Sequence, residues 1–270
     1  MKNKIITINK LLATALLTLV LFTSCGDETN FAPYAESIPA ANASVKFQHT
    51  AVGPAGVNFT VNWSLNDVKT SSVLVTTGLP LGIAYGKQYP DAINYTTVPA
   101  GSPNMKVEIP ATDTVPASTL FTSPLVLEGG KNYTTFVVGS SPNYSAYTVG
   151  DNLTVGDPTK AYVRFLNVIS NSPVTGYDLS IKELNSNAVI YSGVNYLGGN
   201  TAFIPITPIA DLESTTYEVQ LRTVGTTTIV AKFTFTPRKG RVYTFYSYGY
   251  VGGIPTSTKN IPALTYYTNK

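Results

Sequence analysis

Charge is scarce in this chain. Asp, Glu, Lys and Arg make up 12% of its 270 residues, and there is one cysteine, one histidine and one tryptophan. A single cysteine excludes an intrachain disulfide, so burial has to supply the stability. The lone His49 has no second histidine to join it in a zinc site, which needs three or four ligands. It also meets no nucleophile-elbow pattern for acyl-transfer chemistry. The formal charge of +3 shrinks on inspection. Lys2, Lys4 and Lys10 precede Cys25 and no acid does; with these three of the 18 basic residues set aside, 15 remain against 15 acids. That balance carries no net electrostatic footprint for a nucleic-acid partner. Basic residues do gather late, at Arg238-Lys239 and Arg241, and read as a solvated turn.

What is abundant points to strands. There are 18 Tyr, 11 Phe and 21 Gly, with Thr, Ser and Asn filling much of the remainder. The many Tyr, Val and Thr side chains suit a pleated, half-buried surface. Val57, Phe59, Val61 and Trp63 alternate with polar residues, and so do Met105, Val107 and Ile109. Tyr217, Val219 and Leu221 repeat the pattern, as do Ile229, Ala231, Phe233 and Phe235. Period two over these lengths predicts half-buried strands, and no stretch after Cys25 shows a helical apolar stripe.

The first 28 residues read as an address. The lysines form a positive leader. Leu11 to Phe22 is a mainly apolar run of about a dozen residues, short of the about 20 that a spanning helix needs. Thr23 and Ser24 then precede Cys25. This resembles a bacterial lipoprotein signal, with Phe22 where Leu is commoner; the resemblance implies lipid on Cys25. Two or more acyl chains give stable anchoring, since each buried CH₂ contributes about 0.8 kcal/mol. Gly26, Asp27 and Glu28 resemble the surface-export signal of Bacteroidetes lipoproteins. The expected location is the outer membrane, facing the cell exterior, with the periplasmic face as the alternative.

Motifs recur in order along the chain. Val45-Lys46-Phe47 matches Val163-Arg164-Phe165. Gly56 to Val61 matches Gly176 to Ile181. Ile93-Asn94-Tyr95 matches Val194-Asn195-Tyr196. Gly130-Lys131-Asn132-Tyr133-Thr134 matches Gly240-Arg241-Val242-Tyr243-Thr244. Two copies of one fold follow. The expectation is an all-β chain with two tandem immunoglobulin-like antiparallel β-sandwich domains. Its parts are a signal peptide (1–24), a lipidated cysteine with a flexible tether (25–42), a first sandwich (43–150), a linker (151–159) and a second sandwich (160–270). The opening Ala-x-Val-basic-Phe strand, the Gly-x-Asn/Asp strand and the Gly-basic-x-Tyr-Thr strand resemble the bacterial lipoprotein family called domain of unknown function 4397. That resemblance implies a sandwich fold and a cell-envelope setting, without an established activity.

Chemistry is sparse. Glu108 and Glu218 fall on polar strand faces, and Asp67, Asp91 and Asp113 fall in turns, where Asp favours its own backbone. Asp151, Asn152 and Asp157 cluster at the join and read as turn formers in preference to a calcium site. No catalytic residue, metal site or cofactor is expected. Trp63 is expected in the core. Tyr246, Tyr248 and Tyr250 share one face of a predicted strand, opposite Tyr243 and Phe245, and are the candidate ligand-binding residues. The stretch Asp113-Thr114-Val115 resembles an O-glycosylation motif of Bacteroidetes envelope proteins, which makes Thr114 the candidate modification site. The function expected is a non-enzymatic envelope lipoprotein whose partners are the membrane, through its lipid, and a glycan or envelope protein. The alternative is a structural or adhesive spacer with no small-molecule site.

Overall fold

Of the alternating segments, Val61 and Trp63, Met105 to Ile109, Tyr217 to Leu221 and Ile229 to Phe235 lie in strands of the computed structural model, which describes residues 38–54, 58–71, 82–112, 114–182, 188–199, 202–206, 216–253 and 260–270; Gly56 and Val57 lie outside them. Cys25, Gly26, Asp27, Glu28 and Asp113 lie outside the described residues. The first half contributes β1 (Asn42–His49), β2 (Thr60–Leu65), β3 (Val68–Lys69), β4 (Ile83–Ala84), β5 (Gln88–Tyr89), β6 (Thr96–Pro99), β7 (Asn104–Ile109), β8 (Ser118–Pro124), β9 (Asn132–Ser140) and β10 (Asn143–Gly150). The second contributes β11 (Ala161–Asn167), β12 (Tyr177–Lys182), β13 (Ala188–Val194), β14 (Gly198–Gly199), β15 (Ile204–Ile206), β16 (Tyr217–Thr223), β17 (Ile229–Phe235), β18 (Val242–Tyr248) and β19 (Ala263–Thr268). Among the described residues there is no α-helix, and hence none long and apolar enough to cross a membrane.

Each half builds two sheets that sandwich a core. In the first, an outer sheet ordered β3-β2-β7-β8 faces an inner sheet ordered β10-β9-β1-β5. Ala43, Val45 and Phe47 of β1 meet Val61, Trp63 and Leu65 of β2 there. Trp63 is fully buried and stacks on Phe47 with ring centroids 5.2 Å apart. In the second, the outer sheet runs β13-β12-β16-β17 and the inner one β14-β11-β18-β19. Val163 and Phe165 of β11 and Tyr243 and Phe245 of β18 face Leu179, Val219 and Leu221. Pairing is mostly antiparallel. One parallel pair closes each inner sheet, β1 with β9 and β11 with β18.

One turn recurs in both halves. Gly130 and Gly240 hold positive φ, +75° and +70°, a conformation open to glycine without strain. In each turn a tyrosine hydroxyl three residues on, Tyr133 or Tyr243, accepts a backbone N–H, from Glu128 or Arg238. Asn66 and Asp67, with φ of 48° and 63°, make the two-residue turn between β2 and β3.

The two inner sheets also pack against each other. Phe136, Val138 and Val149 from the first sandwich meet Leu166, Val168, Tyr246 and Tyr267 from the second in a third apolar cluster. β1 and β11 are therefore buried on both faces over nearly their whole length. The layers run outer, inner, inner, outer, and the described residues from Ile38 to Lys270 fall within one compact unit.

Candidate functional site

The middle of this stack is where the unusual chemistry lies. On β1 the apolar residues face their own core, so alternation turns Lys46 and Gln48 toward the other sandwich. The same alternation turns Arg164 of β11 toward the first. Both cations are fully buried. Burying a charge is costly unless it is paired and hydrogen-bonded, and each finds partners.

Arg164 uses its whole fork. Nε donates to Thr244 Oγ1 at 2.9 Å, Nη1 to the Gly150 carbonyl at 2.8 Å, and Nη2 to Asp151 Oδ1. The other oxygen of Asp151, Oδ2, accepts from Tyr95 and Thr134 hydroxyls, each at 2.7 Å. Asn269 closes the ring of bonds: its Nδ2 donates to Tyr95 Oη at 2.9 Å, and its Oδ1 accepts from Thr244 at 2.7 Å. Lys46 Nζ donates to the carbonyls of Ala92 and Asn94, each at 2.7 Å, beneath the Tyr95 ring at 4.9 Å.

The electrostatics follow the burial. Burial pushes the Lys46 ammonium down to about 8, while the carboxylates of Asp151 and Asp91 work the other way. Burial likewise opposes the Arg164 charge, but Asp151 and Tyr267 more than offset it and the net direction is upward. The Tyr95 hydroxyl is held well above its ordinary range by burial and then by the Asp151 carboxylate. The arrangement keeps Arg164 ionised and clamps both sandwiches to one carboxylate. It presents no open nucleophile.

Several expectations change here. Tyr246 is 3% exposed, with its ring 5.5 Å from Phe136 of the opposite sandwich. Tyr248 is half-buried and packs 5.5 Å from Tyr85 of the first sandwich, and Tyr250 is half-buried past the strand end. Of the face expected to offer rings to a ligand, Tyr246 and Tyr248 are covered by the other sandwich. The physical reason is that β18 lies inside a four-layer stack, so both of its faces are interior. Asp151 is likewise a buried counter-ion and not a turn former. Asn152 and Asp157 do cap turns, accepting from the backbone N–H groups of Thr154 and Thr159.

His49 sits at the end of β1, fully buried against Phe59 and Tyr85 at 4.7 Å and 6.0 Å. Its Nε2 lies 3.0 Å from the Phe59 carbonyl, and Nδ1 has no partner among the described residues. Burial pushes its pKa down to about 4, so it is neutral at pH 7. Glu108 and Glu218 pair with Lys106 at 3.2 Å and Lys232 at 2.7 Å on the surface. Arg238 and Lys239 are exposed beside the turn glycine, as a solvated turn requires. Thr114 is exposed in the connection between β7 and β8. Among the described residues no cluster of three or more His, Cys, Asp or Glu is placed to hold a metal ion. An open recess of about 330 Å³ lies between β8 and β10, bordered by Pro124, Val126, Tyr133 and Thr148.

Lys46, Tyr95, Thr134 and Arg164 stood in the sequence only as members of repeated motifs and Asn269 not at all; none was read as a site residue. One signal was present for the two cations: a basic residue stands between apolar neighbours at the matching place of both repeats.

No curated protein matches the chain. Among matching solved structures is one described provisionally as a cell adhesion protein from Bacteroides eggerthii, 10% identical, covering 86% of this chain and 97% of that one. Its TM-score of 0.19 is too low for either fold to inform the other. Residues 43–175, which span the first sandwich, the join and β11, match the model of the family described as Domain of unknown function (DUF4397), and that match supports this family for the chain.

Proposed function

We propose that the chain is a non-enzymatic interaction module of the cell envelope, tethered by lipid at Cys25, facing the cell exterior, and built from two copies of one sandwich. The observation that carries the reading is the buried join. Arg164, Asp151, Tyr95 and Asn269 are used to lock two sandwiches together, which suits a stiff body that holds a surface away from a membrane. The aromatic residues nearest that join serve packing, so a glycan or protein partner is met elsewhere on the body. The acidic residues after Cys25 support the outward orientation, and exposed Thr114 suits a modification on an outward surface. The spacer alternative draws on the same stiffness and needs no partner.

Two measurements test the reading. Protease shaving of intact cells should degrade the protein; full protection would place it on the periplasmic side. A glycan array and an envelope-protein pull-down with the purified chain should return a specific partner that survives raised salt. Silence in both favours the spacer.

A further inference from the structure

β19 is the outermost strand of its sheet, and among the described residues no strand pairs with its outer side. The ladder fixes which backbone groups point outward. The amides of Tyr162 and Val168 donate to the carbonyls of Arg241 and Ser247, so the odd-numbered residues of β18 serve β11. The even-numbered residues then turn to β19. Thr244 stands opposite Tyr267 and Tyr246 opposite Thr265. Thr265 and Tyr267 therefore bond inward, and Leu264, Tyr266 and Thr268 aim their N–H and C=O groups at solvent.

Open edges are normally blunted by charge, proline or a bulge. β17 carries Lys232, and β8 ends at Pro124 and pairs with β7 through a bulge. At the β10 edge the Gly150 carbonyl is already taken by Arg164. β19, Ala-Leu-Thr-Tyr-Tyr-Thr, has none of these devices and pairs regularly with β18 along its length. Tyr266 is 39% exposed and is held in place by stacking on Phe233 at 5.3 Å.

We propose that β19 is a self-association edge to which a second copy of this chain adds its own β19, antiparallel. An antiparallel partner must set outward-facing residues against outward-facing residues. A second β19 does this in a register centred on Tyr266, with Leu264 of each copy opposite Thr268 of the other and the two Tyr266 side chains opposite each other. No like charges meet, and a cross-strand aromatic pair forms at the axis. The contact is isologous and closes as a two-fold dimer, so it does not propagate into a fibre. Because a single short strand pair buries less than a standard interface, the dimer is weak in dilute solution. This inference stands on the strand edge alone and is independent of the envelope reading.

The test uses the chain from residue 25 onward with Cys25→Ser. Sedimentation velocity from about 1 μM to about 1 mM, a range that spans weak affinities, should show concentration-dependent dimer, and Tyr266→Lys should raise the dimer dissociation constant at least about tenfold, which is about 1.4 kcal/mol. In a second arm, Tyr266→Cys should cross-link to itself under mild oxidation. Opposed residues of a bonded antiparallel pair have Cα atoms about 5.5 Å apart, within disulfide reach. Lys232→Cys on β17 should not cross-link. The second arm stays informative if Tyr266→Lys fails to fold. A monomer across the whole range overturns the proposal, and so does a dimer that cross-links at 232 and not at 266.

Discussion

At the scale of single residues, His49 is the group most sensitive to solution conditions. Its folded pKa is about 4 against the 6.5 of a free imidazole. Between those two values the unfolded chain takes up a proton that the folded chain refuses. Stability is therefore full above about pH 6.5 and falls as pH drops toward 4, by on the order of 3 kcal/mol. Carboxylates add their own acid dependence, so the comparison that isolates His49 is with His49→Gln. Urea midpoints at pH 7 and pH 4 should differ more for the parent than for that variant; equal shifts in both would remove His49 from the account.

At the scale of elements, β1 and β11 each carry one buried cation into a shared space, and Asp151 supplies the carboxylate there. Removing one partner of a buried pair leaves a buried charge uncompensated, which costs about 3–5 kcal/mol. Asp151→Asn should therefore lower the unfolding free energy by about that amount in urea titration, and a loss below about 1 kcal/mol would contradict the role given to it. The same strands mark how far the sequence could be read. β2, β7, β16 and β17 were legible from period-two alternation, because each turns its apolar residues toward its own core. Trp63 in the core was legible as well. Lys46, Arg164 and Tyr246 were not, because a polar or aromatic residue on the second face of a strand reads as solvent-facing. What covers that face comes from other segments of the chain, Ala92 to Tyr95 over Lys46, Gly150 and Asp151 over Arg164 and Phe136 over Tyr246, and no local pattern encodes it. The aligned Lys46 and Arg164 were visible as a motif, yet their burial was not.

At the scale of the whole molecule, the two sandwiches share Phe136, Tyr246 and Tyr267 as well as the Asp151 network, so neither inner sheet keeps its full packing without the other. Sandwiches joined in this way unfold as one cooperative body. Differential scanning calorimetry of the chain from residue 25 onward tests it most directly, with Asp151→Asn alongside. The claim predicts one transition whose calorimetric and van't Hoff enthalpies agree, and a variant in which that single transition moves down as a whole. Two transitions in the parent, or a variant in which one half melts early while the other keeps its midpoint, would contradict it.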